Sequence, residues 1–311
     1  MSIRIFVLGS INYDIVAKST TLPDVGETVE GFSVDMYVGG KGSNQAVQAA
    51  MLGAQTYFIG STGSDQQGIV VREGLASKGV DIRYLNISPT HRTGCASIIV
   101  DFNGDNMLVY APGANKTITK DIVDSAAQDI ATAQVFITQN EINSDMVTYG
   151  LEIAKAAGII TILNPAPALP LDENIFKLVD YITPNETESE VYTGLLRKNM
   201  DIDNWKRKNA EWFLERGVKN VCITMGEKGS YFYNRKEEIS LDAFQITPID
   251  TTAAGDAFNG GFAYGIANKW SIRKCMKFGN ACGALAAQTV GAQNSICPLD
   301  ELTDFLNQQS I

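Results

Sequence analysis

Short apolar runs alternate with amphipathic stretches over most of the 311-residue chain. The amphipathic stretches, such as 144–158 and 204–217, have their apolar residues at helical spacing. This alternation is typical of a mostly parallel sheet that is covered by helices on both faces. We predict buried strands at 4–9, 56–62, 135–140, 160–165, 181–185 and 220–226. The predicted fold class is therefore α/β, with a three-layer α/β/α core.

Two segments, 27–40 and 95–113, break this rhythm and alternate polar and apolar residues with a period of two. Asn103-Gly104, within the second segment, is a strong hairpin turn signal. Alternating strands belong to sheets with one exposed face, so these segments predict a small separate sheet. We interpret it as a lid over a site, formed by about 14–40 and 95–113 within a single domain of 1–311.

Composition narrows the possible function classes. The formal net charge of −10 opposes a nucleic-acid or anionic-membrane partner, because both bind basic surfaces. From the sequence we expect neither a membrane-spanning segment nor a signal peptide. The five cysteines are scattered without a CxxC pair, which predicts reduced core residues of a cytoplasmic protein. The single histidine, His91, lies in a polar loop, which excludes hydrolase triads and HExxH zinc sites.

The stretch 250–261, DTTAAGDAFNGG, places small residues directly before an aspartate at the start of a predicted helix. Small residues permit a tight turn, and Gly255 is the position expected to tolerate positive φ. A helix that begins here directs unpaired N–H groups at whatever lies in front of it, which favours an anion. An aspartate repels phosphate, so its presence beside an anion site indicates a chemical role. We interpret Asp256 as a general base.

Polar residues follow several of the predicted strands. Ligands in an open parallel sheet bind beyond the carboxyl ends of the strands, so we expect these residues to converge on one edge. They are Asn12 and Asp14, then Glu141, Asn185 with Glu188, and Thr224 with Gly226.

The segment VGGKGSNQAV, 38–47, combines glycine backbone with Lys41 and a helix start that we predict at Ser43 or Asn44. It matches neither a P-loop nor a GxGxxG fingerprint. Two interpretations stay open. One is a plain turn from the lid into a helix. The other is a clamp on a small polyhydroxylated ligand, with backbone N–H groups, Lys41 and Asn44 as donors.

Two further motifs have both a structural and a functional interpretation. In PNETE, 184–188, Asn185 as N-cap with Glu188 three residues later matches a capping box, which the spacing alone favours. The alternative is a platform for Mg²⁺ and its waters, because oxygen ligands on one helical face suit a hard cation. TMGEKG, 224–229, is either a plain connection after a strand or a place where a nucleotide approaches the backbone.

Taken together, these segments resemble the ribokinase family of carbohydrate kinases. The matching motifs are GSINYD, DVGETVEG, GGKGSNQAV, NPAPA, TPNETE, ITMGEKG, DTTAAGDAFNGG and GAQNS. They follow the family order over nearly the full length, and GGKGxNQA and DTxxAGD are highly specific. The resemblance implies an α/β/α core with a β-sheet lid that also serves as a homodimer contact. It further implies transfer of the ATP γ-phosphoryl group to a sugar hydroxymethyl.

The resemblance also implies a role for individual positions. The base and anion hole correspond to Asp256, Gly255, Ala254 and Ala253. Sugar contacts correspond to Asn12, Asp14, Gly40, Lys41, Gly42, Ser43, Asn44 and Glu141. Nucleotide contacts correspond to Asn185, Thr224, Gly226, Lys228, Gly229 and Asn280. Glu188 matches the magnesium-associated glutamate. A monovalent-cation site for K⁺ corresponds to Asp250, Thr252, Ala286, Thr289, Gly291 and Ser295, several of them through carbonyls.

The predicted reaction is phosphorylation of D-ribose at its 5-hydroxyl by ATP, which gives ribose 5-phosphate and ADP. Two alternatives stay open. The first is a kinase on the same scaffold for 2-deoxyribose, a nucleoside or a hexose. The second is a catalytically inactive sensor of a sugar or nucleoside, against which the intact Asp256, Asn185 and Glu188 argue.

Overall fold

The computed structural model describes residues 3–309. Its strands are β1 Arg4–Leu8, β2 Asn12–Ser19, β3 Gly31–Gly39, β4 Gln55–Gly63, β5 Val80–Ser88, β6 Gly94–Val100, β7 Asn106–Ala111, β8 Val135–Gln139, β9 Ile160–Asn164, β10 Tyr181–Ile182, β11 Asn220–Thr224, β12 Ser230–Tyr233 and β13 Glu238–Leu241. Its α-helices are α1 Lys41–Met51, α2 Gln66–Ser77, α3 Lys120–Ser125, α4 Ala127–Ile130, α5 Ser144–Ala156, α6 Glu186–Thr193, α7 Ile202–Glu215, α8 Ala254–Ala267, α9 Ile272–Ala286 and α10 Leu299–Gln308. Short 3₁₀ turns occupy Gly113–Thr117, Glu173–Leu178, Arg197–Asn199 and Gly226–Lys228.

A nine-stranded sheet lies at the centre, in the order β13-β12-β11-β10-β9-β8-β1-β4-β5. Neighbouring strands from β11 to β5 are parallel, whereas β12 and β13 are antiparallel additions at one edge. The mostly parallel sheet predicted from the sequence is thus confirmed. The strand order reverses its direction between β1 and β8, which is the crevice where ligands bind in sheets of this kind.

Helices cover both faces of this sheet because alternate side chains of each strand point to opposite sides. In β1, Phe6 and Leu8 pack in a cluster with residues of α5 and α7. Ile5 and Val7 pack in a second cluster with residues of α1, α2, α8 and α9. The three-layer α/β/α core follows directly from this arrangement.

A separate four-stranded sheet, in the order β3-β2-β6-β7, confirms the small sheet that the period-two segments predict. The β6–β7 hairpin turns at Asp101–Asp105, where Gly104 has φ 84°. Two details differ from the prediction. β2 contributes a strand from Asn12 onward, in register with Gly39 and Gly94. β3 begins only at Gly31, so 27–30 lie outside it.

The cysteines and the histidine behave as predicted. All five thiols are free, and four are buried while Cys95 is half-buried. His91 is exposed, and its ring lies 3.0 Å from the Thr90 hydroxyl. Across residues 3–309, the helices are all too short or too polar to span a membrane.

Candidate active site

The start of α8 has free hydrogen-bond donors. No side chain caps it, and the N–H of Ala254 donates to the Thr251 carbonyl at 3.2 Å. The N–H groups of Gly255 and Asp256 have no acceptor within the described part of the chain. A Cβ added at Gly255 would meet no atom within 4 Å. The start of α8 therefore has two free donors beside an exposed glycine, and free donors at a helix start are what an anion site requires.

Gly255, which can tolerate a positive φ, does not take one. Ala253, the N-cap, takes that conformation with φ 61°, and Gly255 is the second residue of α8. The turn needs its left-handed residue immediately before the helix, where the bond between Ala254 and Thr251 closes it. Glycine at 255 has a different effect, since it leaves the space in front of the helix free of a side chain.

Asp256, the third residue of α8, has a buried and well-oriented carboxylate, 7% exposed. Its Oδ2 accepts a hydrogen bond from Asn44 Nδ2 at 2.9 Å, and its Oδ1 accepts one from Gln45 Nε2 at 3.0 Å. Burial raises the pKa of Asp256, although the Lys41 charge and the two amide donors oppose this shift. The carboxylate is consequently a stronger proton acceptor than an exposed aspartate.

Helix α1 begins at Lys41, two or three residues before the predicted start at Ser43 or Asn44, so that prediction is wrong. The reason is that the Gly40 carbonyl already accepts the first helical bond, from the Asn44 N–H at 2.9 Å. Gly40 has φ 96°, and a Cβ there would lie 2.8 Å from the Ile11 Cα. Glycine thus lets the turn pack against the backbone that follows β1.

The Lys41 side chain lies among three carboxylates. Burial lowers the pKa of Lys41, but Asp256, Glu141 and Glu188 outweigh it, and the net shift is upward. Glu141 itself accepts hydrogen bonds from the Ser10 hydroxyl at 2.5 Å and from the Lys41 N–H at 3.1 Å. These contacts bring the residues that follow β1 and β8 to the start of α1. Of the residues predicted to converge on this sheet edge, these contacts involve Glu141.

Buried acceptors without a donor lie near the small sheet. Asp14 Oδ1 and Asn44 Oδ1 are both buried with no hydrogen-bond partner among the described residues. Asn12 and Asp14 belong to β2 rather than to a loop after β1, and Asn12 Oδ1 accepts from Asn115 Nδ2 at 2.8 Å. Burial raises the pKa of Asp14 to about 6. Unpaired acceptors of this kind suit the hydroxyl groups of a ligand.

The motif at 184–188 forms the capping box that its spacing favours. Asn185 Oδ1 accepts from the Glu188 N–H at 2.7 Å, and Glu188 Oε2 accepts from the Asn185 N–H at 2.8 Å. Burial raises the pKa of Glu188, and the Asp256 charge adds to that shift while Lys41 opposes it. The charges of Asp256 and Lys41 therefore act on Glu188, which also caps α6.

The segment 224–229 is the hairpin connection between β11 and β12. Its first residue, Thr224, forms a parallel bridge with Asn185, which brings these two predicted nucleotide contacts together. Gly226 and Lys228 are exposed in the turn, and Gly229 has φ 84°. Asn280 is separate, on α9, and its Nδ2 is buried without a hydrogen-bond partner among the described residues.

Asp250 joins the loop before α8 to the loop after α9. Its Oδ1 accepts from the Thr252 N–H and its Oδ2 from the Gly291 N–H, both at 2.9 Å. Although burial opposes it, these bonds lower the pKa of Asp250 and keep it anionic. The carbonyls of Thr252, Gly291 and Ser295 accept no hydrogen bond within 3–309, whereas that of Ala286 accepts from the Thr289 N–H. Free carbonyls beside one carboxylate suit a monovalent cation.

The family follows from comparison with known proteins. The model of the pfkB family of carbohydrate kinases matches residues 2–298. The chain belongs to this family. It is 37% identical over 300 residues to a ribokinase of Haemophilus influenzae, with 96% of this chain and 97% of that protein covered. It is 33% identical over 306 residues to a deoxyribokinase of Salmonella typhi, with 97% and 98% covered.

Solved structures agree with this assignment. The chain is similar to an Arabidopsis thaliana ribokinase complexed with ribose and ATP, with a TM-score of 0.91 and 28% identity, over 98% of this chain and 99% of that one. The predicted resemblance to carbohydrate kinases of the ribokinase family is thereby confirmed.

The sequence analysis did not identify a group of buried polar residues that support this pfkB-family site. Buried polar residues link the strand ends to the start of α8, and they are Gln45, Gln139, Asn164, Thr183 and Asn259. A signal was present in the sequence. A buried amide costs free energy unless its polar atoms form hydrogen bonds. The position of Gln45 in SNQAVQ therefore indicates a buried amide that needs a hydrogen-bond partner.

Proposed function

We propose that this pfkB-family kinase uses ATP to phosphorylate D-ribose at its 5-hydroxyl, with ribose 5-phosphate and ADP as products. The observation that carries the proposal is the Asp256 carboxylate beside the two free N–H groups at the start of α8. Phosphoryl transfer needs positioning and charge stabilisation more than covalent chemistry. The ribokinases among the similar proteins support ribose as the sugar.

In the proposed reaction, the ribose O5 attacks the γ-phosphorus while its proton passes to Asp256. The new O5–P bond forms, the bond between the γ-phosphorus and the β,γ-bridging oxygen breaks, and ADP leaves. The free N–H groups of Gly255 and Asp256 face the negative charge of the moving phosphoryl group. The raised pKa of Asp256 favours proton acceptance, and the positive charge of Lys41 lies on the same side of the site.

The sugar pocket of the proposal lies between the start of α1 and the small sheet. Asp14 Oδ1 and Asn44 Oδ1 are buried acceptors that await donors, and sugar hydroxyls supply donors. Asn12, Glu141 and the backbone of Gly40–Ser43 complete the pocket. We propose that the small sheet, 14–40 with 95–113, closes over the sugar as a lid within one domain.

A substrate panel tests this assignment. ADP release is measured with ATP and D-ribose, 2-deoxyribose, a nucleoside or a hexose. We expect D-ribose to be preferred over 2-deoxyribose by at least about tenfold in kcat/KM, because a missing hydroxyl leaves a buried partner unpaired unless water replaces it.

The relative named deoxyribokinase, at 33% identity, favours a second candidate, a kinase for 2-deoxyribose. Equal use of the two sugars would overturn the ribose assignment and leave the kinase assignment intact. Absence of ADP release with every sugar would instead indicate a sensor.

The proposed nucleotide side comprises Asn185, Thr224, Gly226, Lys228, Gly229 and Asn280. The buried, unpaired Asn280 Nδ2 offers a donor to an acceptor of the nucleotide. Residues 3–309 contain no group of three His, Cys, Asp or Glu side chains that could hold a metal ion. Glu188 is a single half-buried carboxylate, which fits Mg²⁺ held through its own waters. When bound, Mg²⁺ would neutralise phosphate charge.

For K⁺, the proposed ligands are Asp250 and the carbonyls of Thr252, Ala286, Thr289, Gly291 and Ser295. The free carbonyls described above support the site, which adjoins the turn before α8. We expect potassium to activate the enzyme and sodium to have little effect. Equal activity in potassium-free buffer with a large counter-ion would contradict this assignment.

We further propose a homodimer through the lid of a cytoplasmic protein. The outer face of the small sheet exposes large apolar side chains, namely Phe32, Val34, Met36, Phe102, Met107 and Val109. The rings of Phe32 and Phe102 stack at 5.1 Å. A second copy would remove this patch from water. Analytical ultracentrifugation should show a dimer that Val34→Glu converts to monomer, and a monomeric wild type would contradict the proposal.

A further inference from the structure

A chain of buried amides connects strand β8 to the Asp256 carboxylate. Gln139 Nε2, at the end of β8, donates to Gln45 Oε1 at 2.7 Å. Gln45 Nε2 donates both to Asp256 Oδ1 at 3.0 Å and to Asn164 Oδ1 at 3.1 Å. Asn164 Nδ2 in turn donates to the Thr183 carbonyl at 2.9 Å. Gln45 and Gln139 are completely buried, so water does not compete for these bonds.

The charge of Asp256 dictates the orientation of each amide in this chain. A carboxylate only accepts hydrogen bonds, so Gln45 must face it with Nε2 and turn Oε1 away. Oε1 then needs a donor, which Gln139 supplies, and Asn164 must offer its oxygen to Gln45. A flipped Gln45 would place two acceptors against each other at the reacting carboxylate. The network therefore has a single consistent arrangement.

We propose that Gln45 is a positioning residue for phosphoryl transfer, because its bond to Oδ1 fixes the orientation of the Asp256 carboxylate and Gln139 fixes the orientation of the Gln45 amide. The inference rests on the proposed role of Asp256 as base. It deepens that role, since Asn44 holds the other carboxylate oxygen but lies beside the sugar pocket. Asn44 Oδ1 is left without a partner among the described residues, whereas both amide atoms of Gln45 are bonded, to Asp256, Asn164 and Gln139.

The same contact controls the charge state of the base. Hydrogen bonds donated to a carboxylate stabilise its charged form, so Gln45 and Asn44 hold down a pKa that burial raises. The other charged groups that face Asp256 are Lys41 on α1, Glu141 after β8 and Glu188 on α6. Lys41 favours the ionised form, and the two glutamates oppose it. Removal of the Gln45 donor should shift the balance toward protonation.

The test compares pH profiles of kcat/KM for wild type, Gln45→Met, Gln45→Glu and Gln139→Met. We expect Gln45→Met to move the acid limb upward by about one pH unit and to lower kcat about tenfold, with both KM values within about twofold. Gln45→Glu, similar in size, places a second carboxylate beside Asp256 and should move the limb further. Gln139→Met leaves the Asp256 bonds in place and should shift it less.

Gln48→Met is the matched control. Gln48 is a fully buried glutamine on the same helix, and its Nε2 donates to the Cys297 carbonyl at 3.0 Å rather than to Asp256. We expect it to lower the melting temperature but to keep the wild-type acid limb. An equal shift in Gln48→Met would overturn the inference.

Two further outcomes are decisive. If Gln45→Met fails to fold, Gln45→Glu and Gln139→Met decide the question. A pH profile of kcat/KM equal to that of wild type in both of these variants would overturn the inference. A wild type that phosphorylates no sugar would refute the proposed function, whereas an active wild type whose profile the variants share would refute only the role of Gln45.

Discussion

Helices α6 and α8 both begin at the carboxyl edge of the sheet, yet their first turns differ completely. α6 starts with a full capping box between Asn185 and Glu188 and has a glycine at its C-terminal end. α8 has no side-chain cap, follows an alanine in the left-handed region, and leaves the N–H groups of Gly255 and Asp256 without a partner. The third N–H group of α6, that of Glu188, thus has a side-chain acceptor, whereas the third N–H group of α8, that of Asp256, has none among the described residues.

The start of α6 therefore contributes to stability, whereas the start of α8 serves the proposed function. A cap contributes about 1 kcal/mol, whereas a left-handed alanine and a buried carboxylate both cost free energy. At the start of α8, this cost falls where the proposed reaction handles an anion and a proton. We therefore expect changes at α8 to affect turnover most, and changes at α6 to affect cation dependence or folding.

The largest effect is expected from Asp256→Asn. Turnover should fall by about two to four orders of magnitude, the usual span for a lost general base, while sugar and ATP still bind. Single-turnover kinetics with calorimetric binding of each substrate measures both quantities. A kcat close to that of wild type would contradict the catalytic role that we assign to the start of α8.

Gly255→Ala probes the open space in front of α8. The added methyl meets no protein atom within 4 Å, and alanine favours a helix more than glycine by about 0.5–1 kcal/mol. We expect the melting temperature to stay level or rise, while kcat/KM falls by about tenfold to a hundredfold because the methyl occupies the phosphate's place. A variant that is stable and fully active would show that no phosphate approaches Gly255.

Glu188→Gln tests α6 without removal of its cap, because glutamine also serves at this position of a capping box. The Mg²⁺ concentration for half-maximal activity should rise several-fold, about three to ten times, while the sugar KM stays constant. If neither the Mg²⁺ concentration for half-maximal activity nor the melting temperature changes, Glu188 has only its capping role.

The smallest expected effect is on the melting temperature. It comes from the cost of burying the carboxylate of Asp14, whose Oδ1 has no hydrogen-bond partner among the described residues. Because burial raises the pKa of Asp14 from 3.8 to about 6, the ionised form is disfavoured in the fold. The penalty is present above about pH 6 and fades as the pH falls toward 3.8. Asp14→Asn should thus melt about 2–4 °C higher than wild type at pH 8 and equally near pH 4. A difference independent of pH would contradict this origin.

The fold and the outline of the site were predictable because the alternation of short apolar runs with amphipathic stretches, together with specific motifs, specifies them. The strand core and the small sheet both follow from the pattern of apolar and polar residues. β2 escaped prediction because its register depends on pairing with β6, some eighty residues later by rough count.

Tertiary contacts explain the details that could not be predicted from the sequence. The left-handed conformation fell on Ala253 because the bond from Ala254 to Thr251 closes the turn there, against the preference of alanine. α1 began early because the Gly40 carbonyl accepts the Asn44 N–H. The role of Gln45 depends on Asp256 and Gln139, far away in sequence, so no local pattern could assign it.

The central claim is that the uncapped start of α8 binds the transferring phosphoryl group with Asp256 beside it. A crystal structure with D-ribose, ADP and a planar metal fluoride that mimics the transferred group measures this directly. We predict fluorides about 2.7–3.1 Å from the N–H groups of Gly255 and Asp256, with the Asp256 carboxylate at hydrogen-bond distance from the ribose O5. A fluoride complex bound away from α8, or an Asp256 carboxylate turned from O5, would contradict the account.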